Sequence, residues 1–133
     1  MKKGALLNSR ASAVIAQMGH TQQLVIGDCG LPIPAGVERI DLAVRLGMPA
    51  FSDVLYTVLE ELAVEKVFLA AEIQTQNRGL YEELLAYFTE RSIPVVLIPH
   101  EQFKVQTQGA QAVIRTGECH PYANIILQSG VTF

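Results

Sequence analysis

Short apolar runs bounded by turn residues recur along this chain, and they limit how it can fold more than any other feature. QLVIGD covers residues 23–28, KVFLAAEI begins at Lys66, and PVVLIP extends from Pro94 to Pro99. Runs of this length without polar alternation are typical of strands buried on both faces of a parallel sheet. The chain therefore has to supply helices that cover both faces of such a sheet.

Segments with helical periodicity lie between these runs. In the first segment, Asn8 or Ser9 is a suitable N-cap, and Gly19 is expected to end the helix. A second helix is expected from about Ser52, as the capping residue, and a third from about Asn77. The predicted apolar stripes are Ala11, Val14, Ile15 and Met18; Val54, Leu55, Val58, Leu59 and Leu62; and Leu80, Tyr81, Leu84, Leu85 and Phe88.

Three further segments complete the expected sheet. VERIDLAV is a plausible strand, and AVIRT with NIILQSGV resemble a closing pair around the loop GECHPY. The alternation of helices and apolar strands predicts one α/β domain over residues 1–133, with three layers and a mostly parallel central sheet. This layout is Rossmann-like, but the chain has neither GxGxxG nor GxxxxGK[ST], so nucleotide binding is not predicted.

Composition excludes several classes of partner. The ten Lys and Arg residues are scattered and the net charge is -3, so a nucleic-acid partner is not expected. No apolar run approaches the ~20 residues that span a bilayer. MKKGALLNSR lacks the apolar core of a signal peptide, so we expect a cytoplasmic protein without membrane contact. Half of the residues are apolar, a high share for a small domain, and we interpret the surplus as a subunit interface.

The cysteines and histidines do not form a recognisable metal motif. Cys29 and Cys119 are far apart without a CxxC pair, which favours free thiols in a reducing compartment. His20, His100 and His120 lack the close spacing of metal ligands, so neither a metal nor another cofactor is expected. Cys29 fits a small buried apolar residue better than a nucleophile.

His20 follows the expected end of the first helix, in the segment MGHTQQLVIGD. An isolated imidazole at such a place commonly interacts with the last carbonyl groups of the helix. The same position stabilises an imidazolium and suits a proton donor that works near neutral pH. The position of this residue alone leaves both interpretations open.

Four more polar residues fall close to predicted strand ends. Asp28 and His100 each follow a strand, which places them at the carboxyl edge, where sites of α/β folds usually lie. Tyr122 and Asn124 are two residues apart, so an extended backbone would direct both side chains to one face. Taken alone, Asp28 could be an ordinary turn residue. Tyr122 and Asn124 could likewise be residues of an edge strand whose side chains form hydrogen bonds with the backbone. Together, the four groups can exchange hydrogen bonds with sugar hydroxyl groups.

The motifs of this chain, and their order along it, resemble those of the D-ribose pyranase (ribose mutarotase) family. The fucose mutarotases are related to this family. The resemblance covers essentially the whole sequence. It rests on LNS, MGHTQQLVIGDCGLPIP, RIDLAV, GMPAFSDVL, PHEQFK and PYANIIL, whose common order makes the set specific. Two positions depart from the family pattern, Cys29, where Ala is commoner, and His120, where Thr is commoner.

The resemblance implies a cytoplasmic isomerase that interconverts the pyranose and furanose forms of D-ribose without a cofactor. It also implies a ring-shaped homo-oligomer, a pentamer or a decamer. It assigns the proton donor to His20 and the sugar contacts to Asp28, His100, Tyr122 and Asn124. Lys104 is implied only as a neighbour of the site.

The chemistry of the sugar agrees with these residue types. Opening a cyclic hemiacetal removes one proton from the anomeric hydroxyl and delivers one to the ring oxygen, and closure through another hydroxyl reverses the exchange. Positioned general acid–base groups increase the reaction rate by about 10²–10⁴-fold. That is enough, because the sugar already opens slowly in water.

Chain geometry predicts that two subunits share the pocket. If fully extended, the chain would separate His20 from Asp28 by up to about 26–29 Å, more than one small sugar spans, so either the segment curls or two chains cooperate. Tyr122 precedes its strand whereas His100 follows one, so a parallel arrangement would also put these two at opposite ends. We therefore expect adjacent subunits to combine their residues in one site.

Two other functions remain open at this point. A fucose-type mutarotase would invert only the anomeric centre, but GLPIP and RIDLAV favour ribose. A non-catalytic sugar-binding accessory of ribose uptake would need Tyr122 and Asn124 but would not need His20.

Overall fold

The apolar runs of the sequence form one six-stranded sheet in the computed structural model, which describes all 133 residues. The strands are β1 Gln23–Gly27, β2 Glu38–Asp41, β3 Val64–Ala70, β4 Val95–Ile98, β5 Ala112–Arg115 and β6 Ile125–Ser129. Their order across the sheet is β2-β5-β1-β6-β3-β4. Only β6 is antiparallel to its neighbours, β1 and β3, so the predicted mostly parallel sheet is confirmed.

Five α-helices lie before or between these strands. They are α1 Ser9–Gln17, α2 Phe51–Leu59, α3 Ile73–Gln76, α4 Arg78–Glu90 and α5 His100–Gln106. The Asn8 side chain accepts a hydrogen bond from the Ala11 backbone N–H (2.9 Å), as expected of the N-cap of α1. None of the helices combines the length and hydropathy that a transmembrane helix requires.

The start of α2 differs from the sequence prediction. Ser52 is not its cap, because the helix already begins at Phe51 and the N-cap residue, Ala50, makes no side-chain hydrogen bond. The Phe51 N–H instead donates to the carboxylate of Glu118 (3.3 Å), a residue distant in sequence. A tertiary contact thus replaces the local cap.

Both faces of the sheet are covered, as predicted for a three-layer α/β fold. In β1, Leu24 and Ile26 belong to a core of 21 buried residues that packs against α1, α2 and α4, whereas Val25 faces a second core of six. Phe103 of α5 is completely buried in this smaller core. Because successive strand residues point to opposite faces, one short strand contributes to both layers.

One local prediction in the second half of the chain is wrong, and one helix there was not predicted. β5 and β6 do not pair with each other, because β1 lies between them. His100 follows β4, as predicted, but it is also the first residue of α5, a helix that was not predicted because seven residues show little periodicity.

The direction of β6 also corrects the expected position of Tyr122. We predicted that Tyr122 and His100 would lie at opposite ends of the sheet, on the assumption of a parallel final strand. Because β6 is antiparallel to β1 and β3, the residues before it lie at the carboxyl edge of the other strands. Tyr122 and His100 are therefore at the same edge.

Gly117 offers a test of the packing next to this edge. Its N–H donates to the carbonyl of Pro49 (2.9 Å), and a Cβ atom at this position would overlap the backbone carbonyl of Met48. Backbone cannot rotate away as a side chain can, so Gly117→Ala should lower the free energy of unfolding by about 1–3 kcal/mol, as overpacking does. Urea denaturation would measure it.

The matched control is Gly109→Ala, because no atom would contact a Cβ there. The free energy of unfolding of this control should stay within about 0.5 kcal/mol of that of the parent protein. Equal stability of the two variants would contradict the packing argument.

Candidate functional site

A cavity of about 310 Å³ lies at the carboxyl edge of the sheet, next to the end of β1. Its volume is at the lower end of the range found for small-molecule sites. The residues that line it come from the loop after β1, the start of α5 and the loop before β6: Asp28, Gly30, Leu31, Pro32, His100, Pro121, Tyr122 and Asn124. The structure thus brings together all four residues predicted to contact the sugar.

Asp28 and Asn124 hold each other by two reciprocal hydrogen bonds. The Asn124 side-chain oxygen accepts from the Asp28 N–H (2.8 Å), and its amide nitrogen donates to Asp28 Oδ2 (2.8 Å). Asp28 Oδ1 also accepts from the Gly30 N–H (2.9 Å). Because Asn124 is almost completely buried, its amide is committed to orienting this carboxylate. Asp28 consequently faces the cavity in a fixed position.

Gly27 makes this arrangement possible. A Cβ atom at position 27 would lie 3.0 Å from the Asn124 side-chain oxygen and 2.7 Å from Leu31 Cδ2. Any larger residue at the end of β1 would therefore push against the amide that holds Asp28. No local pattern in the sequence indicates this requirement at Gly27.

The His100 ring lies between two aromatic residues. It meets the Tyr122 ring edge to face, with centroids 5.2 Å apart, and stacks on Phe103 at 6.2 Å. The His100 backbone N–H donates to both carboxylate oxygens of Glu72 (3.1 and 3.0 Å). Its Nδ1 is buried without a hydrogen-bond partner. Since an unpaired buried polar atom costs free energy, a ligand that brings a hydrogen bond to this nitrogen is favoured.

Tyr122 occupies a turn rather than the extended segment that we expected. Its φ of 57° lies in the left-handed region, and its carbonyl accepts from the Asn124 N–H (2.8 Å). The Asn77 side chain donates to the carbonyl of Pro121 (3.0 Å) and fixes the turn from the side of α4. The turn, and not an alternation along a strand, directs Tyr122 and Asn124 to one cavity.

Glu118 anchors the loop that carries Tyr122, and the sequence analysis did not identify it. Its carboxylate accepts from the backbone N–H groups of Phe51 (3.3 Å), Cys119 (2.9 Å) and His120 (3.0 Å), and from the His120 ring (2.6 Å). Its carbonyl accepts from the Cys29 N–H (2.8 Å) next to Asp28. Burial opposes the ionisation of Glu118, but these hydrogen bonds outweigh it and lower its pKa.

Lys104 and the cluster of Glu118, Cys119 and His120 lie outside the cavity lining. Lys104 is paired with Glu101 (2.7 Å) and does not line the cavity. The ligand-type atoms of Glu118, Cys119 and His120 lie within 4.8 Å of one another. Since the Glu118 oxygen nearest the His120 ring is already saturated with hydrogen bonds, this cluster fits a locked loop better than a metal centre.

His20 lies away from the other four predicted site residues. It precedes β1 whereas Asp28 follows it, and a five-residue strand spans roughly 16 Å. The His20 side chain is 55% exposed, and its Nε2 lies 2.8 Å from Glu65 Oε2 on β3. It therefore contacts β3 rather than the end of α1, which argues against the helix-capping interpretation.

Comparisons with known proteins give consistent results over the full chain. The family model described as RbsD / FucU transport protein family matches residues 1–132. A D-ribose pyranase of Bacillus cytotoxicus is 55% identical over 133 residues, which cover all of both chains. Among solved structures, RbsD of Bacillus subtilis complexed with D-ribose is 49% identical, with full coverage of both chains and a TM-score of 0.95. FucU of Bifidobacterium longum is 26% identical, with a TM-score of 0.78, and the match covers 96% of this chain and 97% of the FucU chain.

The anchoring contacts of Glu118 predict a specific dependence of stability on pH. With a folded pKa below its unfolded value of about 4.3, the carboxylate contributes stability fully above that value. The contribution is lost as the pH falls through the folded pKa. Glu118→Gln should therefore destabilise the protein at about pH 7, and the difference should shrink at about pH 3.

Urea denaturation at both pH values measures this difference. Glu90→Gln is a suitable control, because the Glu90 side chain is 77% exposed and pairs only with its neighbour Arg91. A deficit of Glu118→Gln that stays constant with pH would contradict the assignment.

Proposed function

This chain belongs to the RbsD / FucU transport protein family, and on that premise we propose that it interconverts the pyranose and furanose forms of D-ribose. The observation that carries this proposal is the cavity of about 310 Å³ that Asp28, His100, Tyr122 and Asn124 line together. The similarity over the full chain to proteins named D-ribose pyranase supports ribose as the substrate. The proposed reaction class is general acid–base catalysis by an intramolecular isomerase.

The proposed reaction breaks one carbon–oxygen bond, forms another and moves protons. The anomeric hydroxyl gives its proton to water, the bond between the anomeric carbon and the ring oxygen breaks, and His20 protonates that oxygen. This leaves an open-chain aldehyde. The hydroxyl on the fourth carbon then adds to the aldehyde and returns a proton to His20, while the carbonyl oxygen takes one from water. No electrons are transferred to or from the sugar, so no redox partner is needed.

The cavity residues divide between holding the sugar and holding each other. Asp28 presents carboxylate oxygens that accept from sugar hydroxyl groups, and the buried Asn124 keeps it in place. The Tyr122 hydroxyl can donate or accept, and its ring packs against His100. These groups would bind the sugar in an orientation that exposes its ring oxygen to a proton donor.

We further propose that His20 of one subunit completes the cavity of the next. Within one chain, β1 separates His20 from Asp28. An interface that joins the His20 edge of one copy to the cavity edge of another is heterologous, and such interfaces form rings when the rotation between successive copies closes. This geometry supports the ring-shaped pentamer or decamer that the family resemblance implies.

Exposed apolar residues support an interface at the His20 edge. Val131 and Phe133 follow β6 at that edge and are 47% and 103% exposed. Further large apolar side chains are exposed elsewhere: Leu7, Val44, Leu46 and Val105. Val131 and Phe133, two large apolar side chains exposed close together in the chain, favour an association surface at the His20 edge.

We also propose that residues 1–133 act as a single ribose pyranase-like domain in the cytoplasm. The single sheet supports the first point, because every strand belongs to it. The free thiols of Cys29 and Cys119 support the second, since a reducing compartment keeps thiols unpaired.

Exchange NMR on D-ribose tests the activity directly. The protein should increase magnetisation transfer between pyranose and furanose signals, and His20→Ala and His20→Gln should each reduce the rate by about 10²–10⁴-fold. Asp28, Tyr122 and Asn124 are untouched in these variants, so ribose should still bind.

Other outcomes of this experiment identify the alternative functions. Ribose binding without faster exchange in the parent protein would indicate a sugar-binding accessory. Faster anomer exchange of fucose, but not of ribose, would indicate a fucose-type mutarotase, which the fold similarity to FucU keeps as the second candidate.

Mixed oligomers test whether two subunits share the site. His20→Ala and Asp28→Ala subunits should each be inactive alone. When the two are co-expressed and assemble at random, about a quarter of the sites would combine an intact His20 with an intact Asp28. Activity near that fraction is expected, after size-exclusion chromatography has shown normal assembly. Complete inactivity of mixed oligomers would contradict the shared pocket.

A further inference from the structure

Glu65 occupies an irregular position in β3. Val64 pairs with Ser129 and Lys66 pairs with Gln128. Because Ser129 and Gln128 are consecutive, Glu65 is an extra residue on β3 with no pairing partner on β6. A β-bulge of this kind changes the direction in which a side chain points and is common next to functional sites. The bulge explains how an acidic side chain from β3 reaches the turn that contains His20.

The two carboxylate oxygens of Glu65 have different partners. Oε2 lies 2.8 Å from His20 Nε2, and Oε1 accepts from the Gln128 side-chain amide (2.8 Å). Hydrogen bonds from Gln128 and His20 lower the pKa of Glu65, and the positive charge of Lys66 acts in the same direction. An ionised carboxylate has no proton to donate. His20 Nε2 must therefore carry the hydrogen in this contact, and Nδ1 is the ring nitrogen left for another partner.

The backbone around His20 is held as firmly as its ring. The Thr21 N–H donates to the carbonyl of Ser129 (2.9 Å), and the Ser129 N–H donates to the carbonyl of Gln22 (2.8 Å). The Gln22 side chain in turn accepts from the Gly19 N–H (2.7 Å). These bonds fix the turn against the end of β6, the strand that also supplies Gln128.

A row of amides orients Gln128 from the other side. Gln23 on β1 donates to the Gln128 side-chain oxygen (3.4 Å), and Gln106 at the end of α5 donates to Gln23 (3.2 Å). The side-chain NH₂ group of Gln128 thereby remains available to donate to Glu65. The carboxylate is consequently constrained on both of its oxygens.

We propose that Glu65 is a positioning residue for the reaction: its carboxylate holds the Nε2–H of His20, so that Nδ1 exchanges the proton with the sugar. The inference rests on the proposed function of His20 as the proton donor. Glu65 does not take up the transferred proton. It fixes the tautomer and the ring orientation, as carboxylates behind catalytic histidines do.

Kinetics of Glu65 variants test the proposal. Glu65→Leu removes both acceptors, and we expect kcat for ribose exchange to fall by about 10- to 100-fold with KM little changed. Glu65→Gln keeps an uncharged acceptor and should retain more activity. Glu65→Asp restores the charge on a shorter side chain and should be the most active of the three.

The matched control is Glu38→Leu. The Glu38 side chain is 33% exposed, against 34% for Glu65, and it likewise accepts a hydrogen bond from a basic residue, Arg10. Glu38 lies on β2 and contacts neither His20 nor the cavity, so this variant should exchange ribose at the parent rate.

A spectroscopic readout separates positioning from a merely structural contribution. In ¹H–¹⁵N spectra, the parent protein should show a His20 Nε2–H signal with slowed solvent exchange, assigned by its absence in His20→Ala. The signal should be lost in Glu65→Leu and retained in Glu38→Leu.

Two results would overturn the inference in distinguishable ways. If His20→Ala is inactive but Glu65→Leu keeps the parent kcat and the Nε2–H signal, Glu65 does not position His20 and the proposed function stands. If His20→Ala keeps full activity, the proton-donor assignment itself fails, and the inference fails with it.

Discussion

The reversed direction of β6 is the constraint on which the rest of the structure depends. The other five strands run parallel, so polar residues that follow β1 and β4 meet at one edge of the sheet. An antiparallel sixth strand adds its preceding turn to the same edge, and this turn carries Tyr122 and Asn124. The other end of β6 lies at the opposite edge, where Gln128 and Ser129 contact Glu65 and the turn of His20. One strand thus organises both halves of the proposed site.

The two halves are built from different interactions. At the carboxyl edge, a buried amide and a carboxylate hold each other, and Glu118 anchors the adjoining loop through several N–H groups. Such bonds are strong when they are satisfied and costly when one partner is lost. At the opposite edge, His20 is half exposed and its order depends on Glu65. An accessible imidazole held by a carboxylate is suited to meeting a sugar that is bound by another copy of the chain.

Much of the fold was predictable from the sequence because apolar periodicity reports burial. The runs QLVIGD and PVVLIP form β1 and β4, and of the two N-cap residues that the sequence suggests for α1, Asn8 and Ser9, Asn8 is the cap. Hydrophobic patterns do not encode strand direction, so β6 was assumed to run parallel. α5 was not predicted, because a seven-residue helix that starts directly after Pro99 has too few apolar positions to show helical periodicity. The positions of Glu65 and Glu118 depend on a bulge and on a distant loop, which no local pattern shows.

The central claim is that a sugar reacts between the cavity of one subunit and His20 of another. A crystal structure of the assembled protein with bound D-ribose tests it most directly. We expect ribose hydrogen-bonded to Asp28, with Nδ1 of a neighbouring subunit's His20 within about 2.6–3.2 Å of the sugar ring oxygen. Ribose seated in that cavity with no His20 ring from any subunit in reach would rule out a site shared between subunits.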